Sequence, residues 1–262
     1  MTQILLAVAI IGATGLIGGT LLSVISALCD TGEKNERLAE IREALPGANC
    51  GACGFAGCDS YAEAVDNGTA EPGLCAPGGA DTAARLSEVL GVTVETRPMT
   101  ARVLCDGCTD HVDVKYHYVG MSSCAAAAML DGGPSACHFG CIGFGDCVTA
   151  CDFNAIRVEN GVAAVDPEAC TGCGSCAKAC PKQLIQLVPK QKAAVIPCRN
   201  HQKGAAARKI CKTACIGCSA CVRACQSGAI TVDRFLATVD PKKCTACGAC
   251  ITACPQKIIT LR

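Results

Sequence analysis

Two stretches leave this chain little freedom: Cys170-Thr-Gly-Cys173-Gly-Ser-Cys176-Ala-Lys-Ala-Cys180-Pro181 and Cys244-Thr-Ala-Cys247-Gly-Ala-Cys250-Ile-Thr-Ala-Cys254-Pro255. Each is a C-x2-C-x2-C-x3-C-P run, in which three thiolates on one tight loop cap an iron-sulfur cube and the fourth serves the neighbouring cube. One run therefore requires a partner run. A partner precedes each: Cys137, Cys141, Cys147 and Cys151 before the first, and Cys215, Cys218, Cys221 and Cys225 before the second.

A fixed offset of 74 residues maps one unit on the other, scaffold included: Ile142-Gly143 on Ile216-Gly217, Ala155-Ile156 on Ala229-Ile230, Asp166-Pro167 on Asp240-Pro241. The chain thus contains an internal duplication of an electron-transfer unit. The offset also exposes a departure, because Phe144 stands where the second copy has Cys218. Cys137, four residues before Cys141, is the substitute that spacing offers. The expected cluster ligands are then Cys137, Cys141, Cys147 and Cys180; Cys151, Cys170, Cys173 and Cys176; Cys215, Cys218, Cys221 and Cys254; and Cys225, Cys244, Cys247 and Cys250. Between the half-sites, Ala155–Val165 and Ala229–Val239 read as β-hairpins, the first with an Asn160-Gly161 turn.

Twenty-six cysteines in 262 residues also suit a secreted disulfide scaffold, but that class is short and lacks C-x2-C-x2-C clustering. No Trp, three Tyr and five Phe leave few large side chains for a core, so inorganic clusters are expected to take that place, and iron removal to unfold the modules. The formal net charge is zero and no basic run suggests nucleic acid.

Ile4 to Leu28 is 25 residues without a charge. As a helix it measures about 37 Å against a hydrocarbon core of about 30 Å, enough to span with some tilt. Gly12, Gly15, Gly19 and Ser23 form a small-residue stripe suited to close approach of another membrane helix. A signal peptide would start with basic residues, and a lipoprotein signal ending at Cys29 would want a small residue at Leu28. Gly12-Ala-Thr-Gly15-Leu-Ile-Gly18-Gly19 resembles a dinucleotide-binding turn, but no second strand with a ribose-binding acid follows. Lys34, Arg37 and Arg42 follow the span, which places the remainder in the cytoplasm, beyond a single-pass anchor in the plasma (inner) membrane.

Leu38, Ile41 and Leu45 recur at helical spacing within Glu33–Leu45. Cys50-Gly-Ala-Cys53-Gly-Phe-Ala-Gly-Cys58 with Cys75 then makes a four-thiolate site, a [4Fe-4S] cube or, as the alternative, a structural zinc. Asp81–Leu90 reads as a helix ended by Gly91, and Val92–Glu95 as a strand. The fold class is small α+β: anchor 1–29, four-cysteine domain 30–97, a connector 98–135, ferredoxin module 1 at 136–190 and module 2 at 191–262. Five regular sites use twenty cysteines. Apart from Cys29, this leaves Cys105, Cys108, Cys124, Cys198 and Cys211 for a sixth site, rooted on the Cys105-x2-Cys108 pair with Cys124, and with either Cys198 or Cys211 as fourth ligand. Zinc with a non-cysteine ligand is the competing use of the first three.

There is no P-loop and no nucleophile elbow, and His111, His117, His138 and His201 form no spaced ligand set. The membrane helix, the Asn49-Cys50-Gly-Ala-Cys53-Gly-Phe-Ala-Gly-Cys58 site and the ferredoxin modules, in this order, resemble the B subunit of the Rnf complexes, the membrane-bound ferredoxin:NAD oxidoreductases. The duplicated module resembles the long form of that protein. The resemblance implies a translocase component without a complete active site. It would take electrons from soluble reduced ferredoxin and pass them along five or six [4Fe-4S] clusters to integral membrane and flavin-bearing subunits, with Na+ or H+ pumped elsewhere in the complex. The alternative is a membrane-tethered polyferredoxin serving a hydrogenase or a one-carbon dehydrogenase.

Overall fold

The computed structural model describes Gly12 and residues 18–20, 36–96 and 98–262. The expected transmembrane span lies almost wholly outside these residues. Among the described residues no helix is long and apolar enough to cross a membrane.

The first unit packs three helices on a small apolar core. Helix α1, Glu36–Ala44, turns Ile41 inward, and Leu45 joins it beyond the last turn. They meet Tyr61, Ala62 and Val65 of α2, Cys58–Asp66, and Leu86 of α3, Gly79–Leu90. Ile41 and Leu86 are fully buried, so the helical periodicity of the sequence is realised as packing. Gly91 ends α3 in the left-handed conformation, φ 66°, which a residue without Cβ adopts at no steric cost. The strand expected at Val92–Glu95 does not form. No neighbour offers a ladder there, and Val94 N–H instead donates to Ser87 Oγ of α3 at 3.0 Å.

The remainder is two copies of one small fold. In the first, β1 (Met99–Val103) pairs antiparallel with β4 (Ile185–Pro189), and the hairpin β2 (Ile156–Glu159) with β3 (Val162–Val165) lies between them in sequence. Three short helices carry the cysteine loops: α4 (Cys124–Ala128), α5 (Asp146–Thr149) and α6 (Ser175–Ala179). In the second copy β5 (Ala194–Val195) pairs with β8 (Thr260–Leu261) around the hairpin β6 (Ile230–Asp233) and β7 (Leu236–Val239). Its helices are α7 (Gly204–Ile210), α8 (Ala220–Ala224) and α9 (Ala249–Ala253).

Strand register fixes a correspondence that the 74-residue offset hides. Ala101 faces Leu187 as Ala194 faces Leu261, so β1 corresponds to β5 and Cys105 to Cys198. Residues 99–103, expected as connector, therefore build the first module. Each module core mixes Ile, Val and Ala from the sheets with cysteines from the loops, as the scarcity of aromatics requires.

Candidate metal centres

The N-terminal site is assembled by one loop and two helix ends. Asn49 Oδ1 accepts the N–H of Cys58 at 2.8 Å, drawing the loop over the start of α2. Tyr61 OH donates to Glu71 O at 2.8 Å and accepts from Leu74 N–H at 3.1 Å, which presents Cys75 from the far side. Burial pushes the Cys75 thiol up, and the nearness of Cys58, Cys53 and Cys50 pushes it further. The four expected ligands thus face one another.

The same is seen for three of the four module sets. Burial raises Cys176 to about 11, with Cys170, Cys173 and Cys151 beside it. Burial likewise raises Cys221 to about 11, with Cys215 and Cys218 as neighbours, and Cys254 lines the same pocket. Cys250 is raised by burial and then by Cys244, Cys225 and Cys247.

The fourth set is regrouped. The pocket at Cys141, Cys147 and Cys180 is completed by Cys124, and Cys137 does not line it. Burial, followed by Cys141, Cys124 and Cys180, pushes Cys147 up to about 12. Cys124 gets there because α4 is tethered: Asp146 accepts the N–H of Cys124 at 2.7 Å, that of Ala125 at 3.0 Å and the Ser123 hydroxyl at 2.9 Å. Burial alone would raise the Asp146 carboxyl, but those donors outweigh it and hold it below its ordinary value. Phe144, in the position of Cys218, stacks at a tilt on Tyr118 with centroids 5.4 Å apart.

Cys137 lies instead at the seam between the modules, where a small pocket is lined by Cys105, Cys137, Cys198 and Cys211. Burial pushes Cys105 up to about 12. Of the five cysteines expected at a sixth site, Cys124 thus lies with Cys141, Cys147 and Cys180, while Cys105, Cys198 and Cys211 line the seam together. Cys108 does not line it. Its Sγ lies 3.3 Å from His111 Nδ1, which in turn lies 2.9 Å from Asp106 O. Asp146 and Ser123 were invisible to motif reading, although the 74-residue offset marks Asp146 as a departure, since Ala220 occupies that place in the second copy.

Four thiols are the donor set that an iron-sulfur cube takes; among the described residues no group of three or more His, Cys, Asp or Glu side chains closes on a metal-ion position. At three sets the thiols line a shared pocket, and at two others a backbone N–H donates to a sulfur: Ala101 to Cys170 and Ala194 to Cys244, each at 3.3 Å. Such donors stabilise the added negative charge of a reduced cluster. Three contacts join neighbouring sets. Lys178 Nζ donates to Cys50 O at 3.1 Å, Cys141 N–H to Cys105 Sγ at 3.5 Å, and Cys215 N–H to Cys198 Sγ at 3.3 Å.

Comparison with known proteins finds iron-sulfur families along the chain. An Fe-S cluster family matches residues 45–77, and a 4Fe-4S dicluster domain matches residues 140–184 and again 214–258. A second dicluster family matches residues 169–230, across the seam. The B subunit of the Na(+)-translocating ferredoxin:NAD(+) oxidoreductase complex of Acetobacterium woodii is 41% identical over 93% of this chain and 73% of its own length. The B subunit of the ion-translocating oxidoreductase complex of Methanosarcina acetivorans is 38% identical over the full length of both chains. The B subunit of the proton-translocating ferredoxin:NAD(+) oxidoreductase complex of Clostridium ljungdahlii is 38% identical over 92% of this chain and 85% of its own. With identity of 38–41% over 92% or more of this chain and ferredoxin-type domains matched within it, the protein belongs to the Rnf family, the B subunits of ion-translocating oxidoreductase complexes.

Proposed function

We propose that this chain is the electron-relay component of a membrane ferredoxin:NAD oxidoreductase complex coupled to Na+ or H+ translocation, with a donor ferredoxin on one side and membrane and flavin-bearing subunits on the other. The observation that carries it is the file of thiol sets. In order these are Cys50, Cys53, Cys58 and Cys75; Cys151, Cys170, Cys173 and Cys176; Cys124, Cys141, Cys147 and Cys180; Cys105, Cys137, Cys198 and Cys211; Cys215, Cys218, Cys221 and Cys254; and Cys225, Cys244, Cys247 and Cys250. Direct contacts support three of the five steps between sets, and the other two run inside a ferredoxin module. When bound, [4Fe-4S] clusters supply one-electron transfer. The protein holds them, donates N–H groups to their ligands and keeps water from the buried thiols.

An anchor at residues 1–29 and a cytoplasmic position for the rest belong to the same reading, supported by the uncharged span and by the relatives' names. Purification of the full chain from membranes tests it. The expected result is about 24 iron per chain if each of six sites holds four, a visible absorbance bleached by dithionite, and hydrophobic subunits with a flavoprotein in the same preparation. A metal content dominated by zinc would overturn the relay, and a hydrogenase in place of the flavoprotein would reassign the complex.

A further inference from the structure

Charge is segregated along this chain. The whole sequence carries 23 basic and 23 acidic residues, yet residues 191–262 hold twelve Lys and Arg against two acids, Asp233 and Asp240. The duplication supplies an internal control, because module 1 shows what the same fold carries at the same places. By the 74-residue offset Thr149 corresponds to Arg223, Asp152 to Gln226, Asn160 to Arg234, Gly161 to Phe235 and Glu168 to Lys242. The two hairpins have the same register, Ile156 facing Val165 as Ile230 faces Val239, so folding does not demand the change.

The hairpin tip is the sharpest case. Module 1 turns on Asn160 and Gly161, φ 48° and 79°, the residues that a left-handed turn favours. Module 2 puts Arg234 and Phe235 there at φ 42° and 63°, conformations that side chains of this size rarely adopt. Strain of this kind persists where something other than folding selects it. The tip is fixed against the Cys215–Cys221 loop, since a Cβ on Gly217 would stand 2.5 Å from the carbonyl of Phe235.

Beside it lies Cys218, which with Cys247 makes up the exposed cysteines among those described. Arg223 Nη1 lies 3.5 Å from Cys218 O, and Lys257 N–H donates to Cys254 O at 3.1 Å. Phe235 is 45% exposed. Arg234 pairs with its neighbour Asp233 at 3.2 Å, both side chains more than three-quarters exposed, a pair that water and a partner readily displace.

We propose that this face of module 2, with Arg223 and the Arg234-Phe235 hairpin tip beside Cys218, is the docking surface for a small acidic electron-carrier protein. It rests on the relay reading and names where the relay is loaded. The cationic rim steers an acidic partner, the aromatic tip anchors it, and the exposed ligand lets the carrier's redox centre approach. With a [4Fe-4S] cluster held by Cys215, Cys218, Cys221 and Cys254, the carrier would lose one electron and that cluster would gain it, with no bond made or broken. An anionic lipid surface would also meet the charge, but it has no use for an exposed cluster ligand.

The test uses the full chain with its clusters, mixed in stopped flow with a reduced acidic two-cluster ferredoxin. The double variant Arg234→Asn, Phe235→Gly writes module 1's own turn into module 2, so it relieves strain rather than adding it, and its iron content and dithionite-reduced spectrum should match the unaltered chain. Its second-order rate constant at low salt should fall about tenfold or more, with a shallower dependence on ionic strength. Arg223→Glu should lower the rate independently. Unaltered rates and salt slopes in both variants overturn the proposal, as does loss of binding to phosphatidylserine vesicles at an unchanged ferredoxin rate. An unaltered chain that dithionite reduces and ferredoxin does not would remove the ferredoxin donor from the relay reading as well, which separates that failure from failure of the surface alone.

Discussion

Single side chains decide which thiols share a site. Cys124 is delivered by the Asp146 tether, while Phe144 fills the place that a cysteine occupies in the second module. Cys124→Ala should therefore cost one cube, about four iron per chain. Adding Phe144→Cys should restore it, because the new thiol takes the position of Cys218 and leaves room against Tyr118. The same second change should do nothing for Cys137→Ala, whose loss falls at the seam. Iron and sulfide analysis of the four variants separates these outcomes, and rescue of Cys137→Ala by Phe144→Cys would return Cys137 to the module 1 set.

At the scale of elements, the helices that carry the ligands are too short to stand alone. Helix α4 has five residues, well below the roughly 12–15 at which an isolated helix becomes even marginal. Its first turn is held by Ser123 as N-cap and by the Asp146 carboxylate. Replacing such a cap costs about 1 kcal/mol, so Asp146→Ala should lower the unfolding free energy by that order and loosen the Cys124 site. The carboxyl is held below its ordinary value, so its contribution is complete above the unfolded-state pKa near 4 and is lost as pH falls through the lower folded value. Thermal unfolding against pH should show that acid loss in the unaltered chain and not in Asp146→Asn. Equal slopes in both would show that the tether does not depend on charge.

Across the whole molecule, the duplication is closed by a site that neither copy can complete. Cys105 and Cys137 come from one module, and their counterparts Cys198 and Cys211 from the other. Polar contacts span the same seam: Arg102 Nη2 to Arg262 O at 2.6 Å and Lys212 Nζ to Asp110 O at 2.9 Å. These surface bonds are weak beside what a cluster held there by four thiolates would contribute. Cys198→Ser with Cys211→Ser should leave about twenty iron, four at each of five sites, and open the seam. Small-angle scattering should report a larger radius of gyration, and proteolysis should cut near residues 190–200. An unchanged radius would assign the seam to the polar contacts alone. Lys178→Met, which removes the contact to Cys50 O, should free the N-terminal domain from module 1 in the same measurement without loss of iron.

What the sequence determined by itself is what local spacing forces. Thiols two to five residues apart have to share a loop, so Cys50, Cys53 and Cys58, the two ferredoxin runs and the duplication were all legible, as were α1 and α3 from apolar periodicity and Gly91. Isolated cysteines carry no such information. Whether Cys124 or Cys137 completes module 1 depends on a carboxylate 22 residues from Cys124, and the equivalence of Cys105 with Cys198 depends on strands that pair over long loops. Cys108, one member of an apparent C-x2-C pair, was turned towards His111 by the path of the chain and not by its spacing. Val92–Glu95 had the composition of a strand but no neighbour to pair with, because a ladder is a property of two segments. The tertiary structure alone decided which distant thiols meet, since closure over long loops is set by packing and hydrogen bonding elsewhere in the chain.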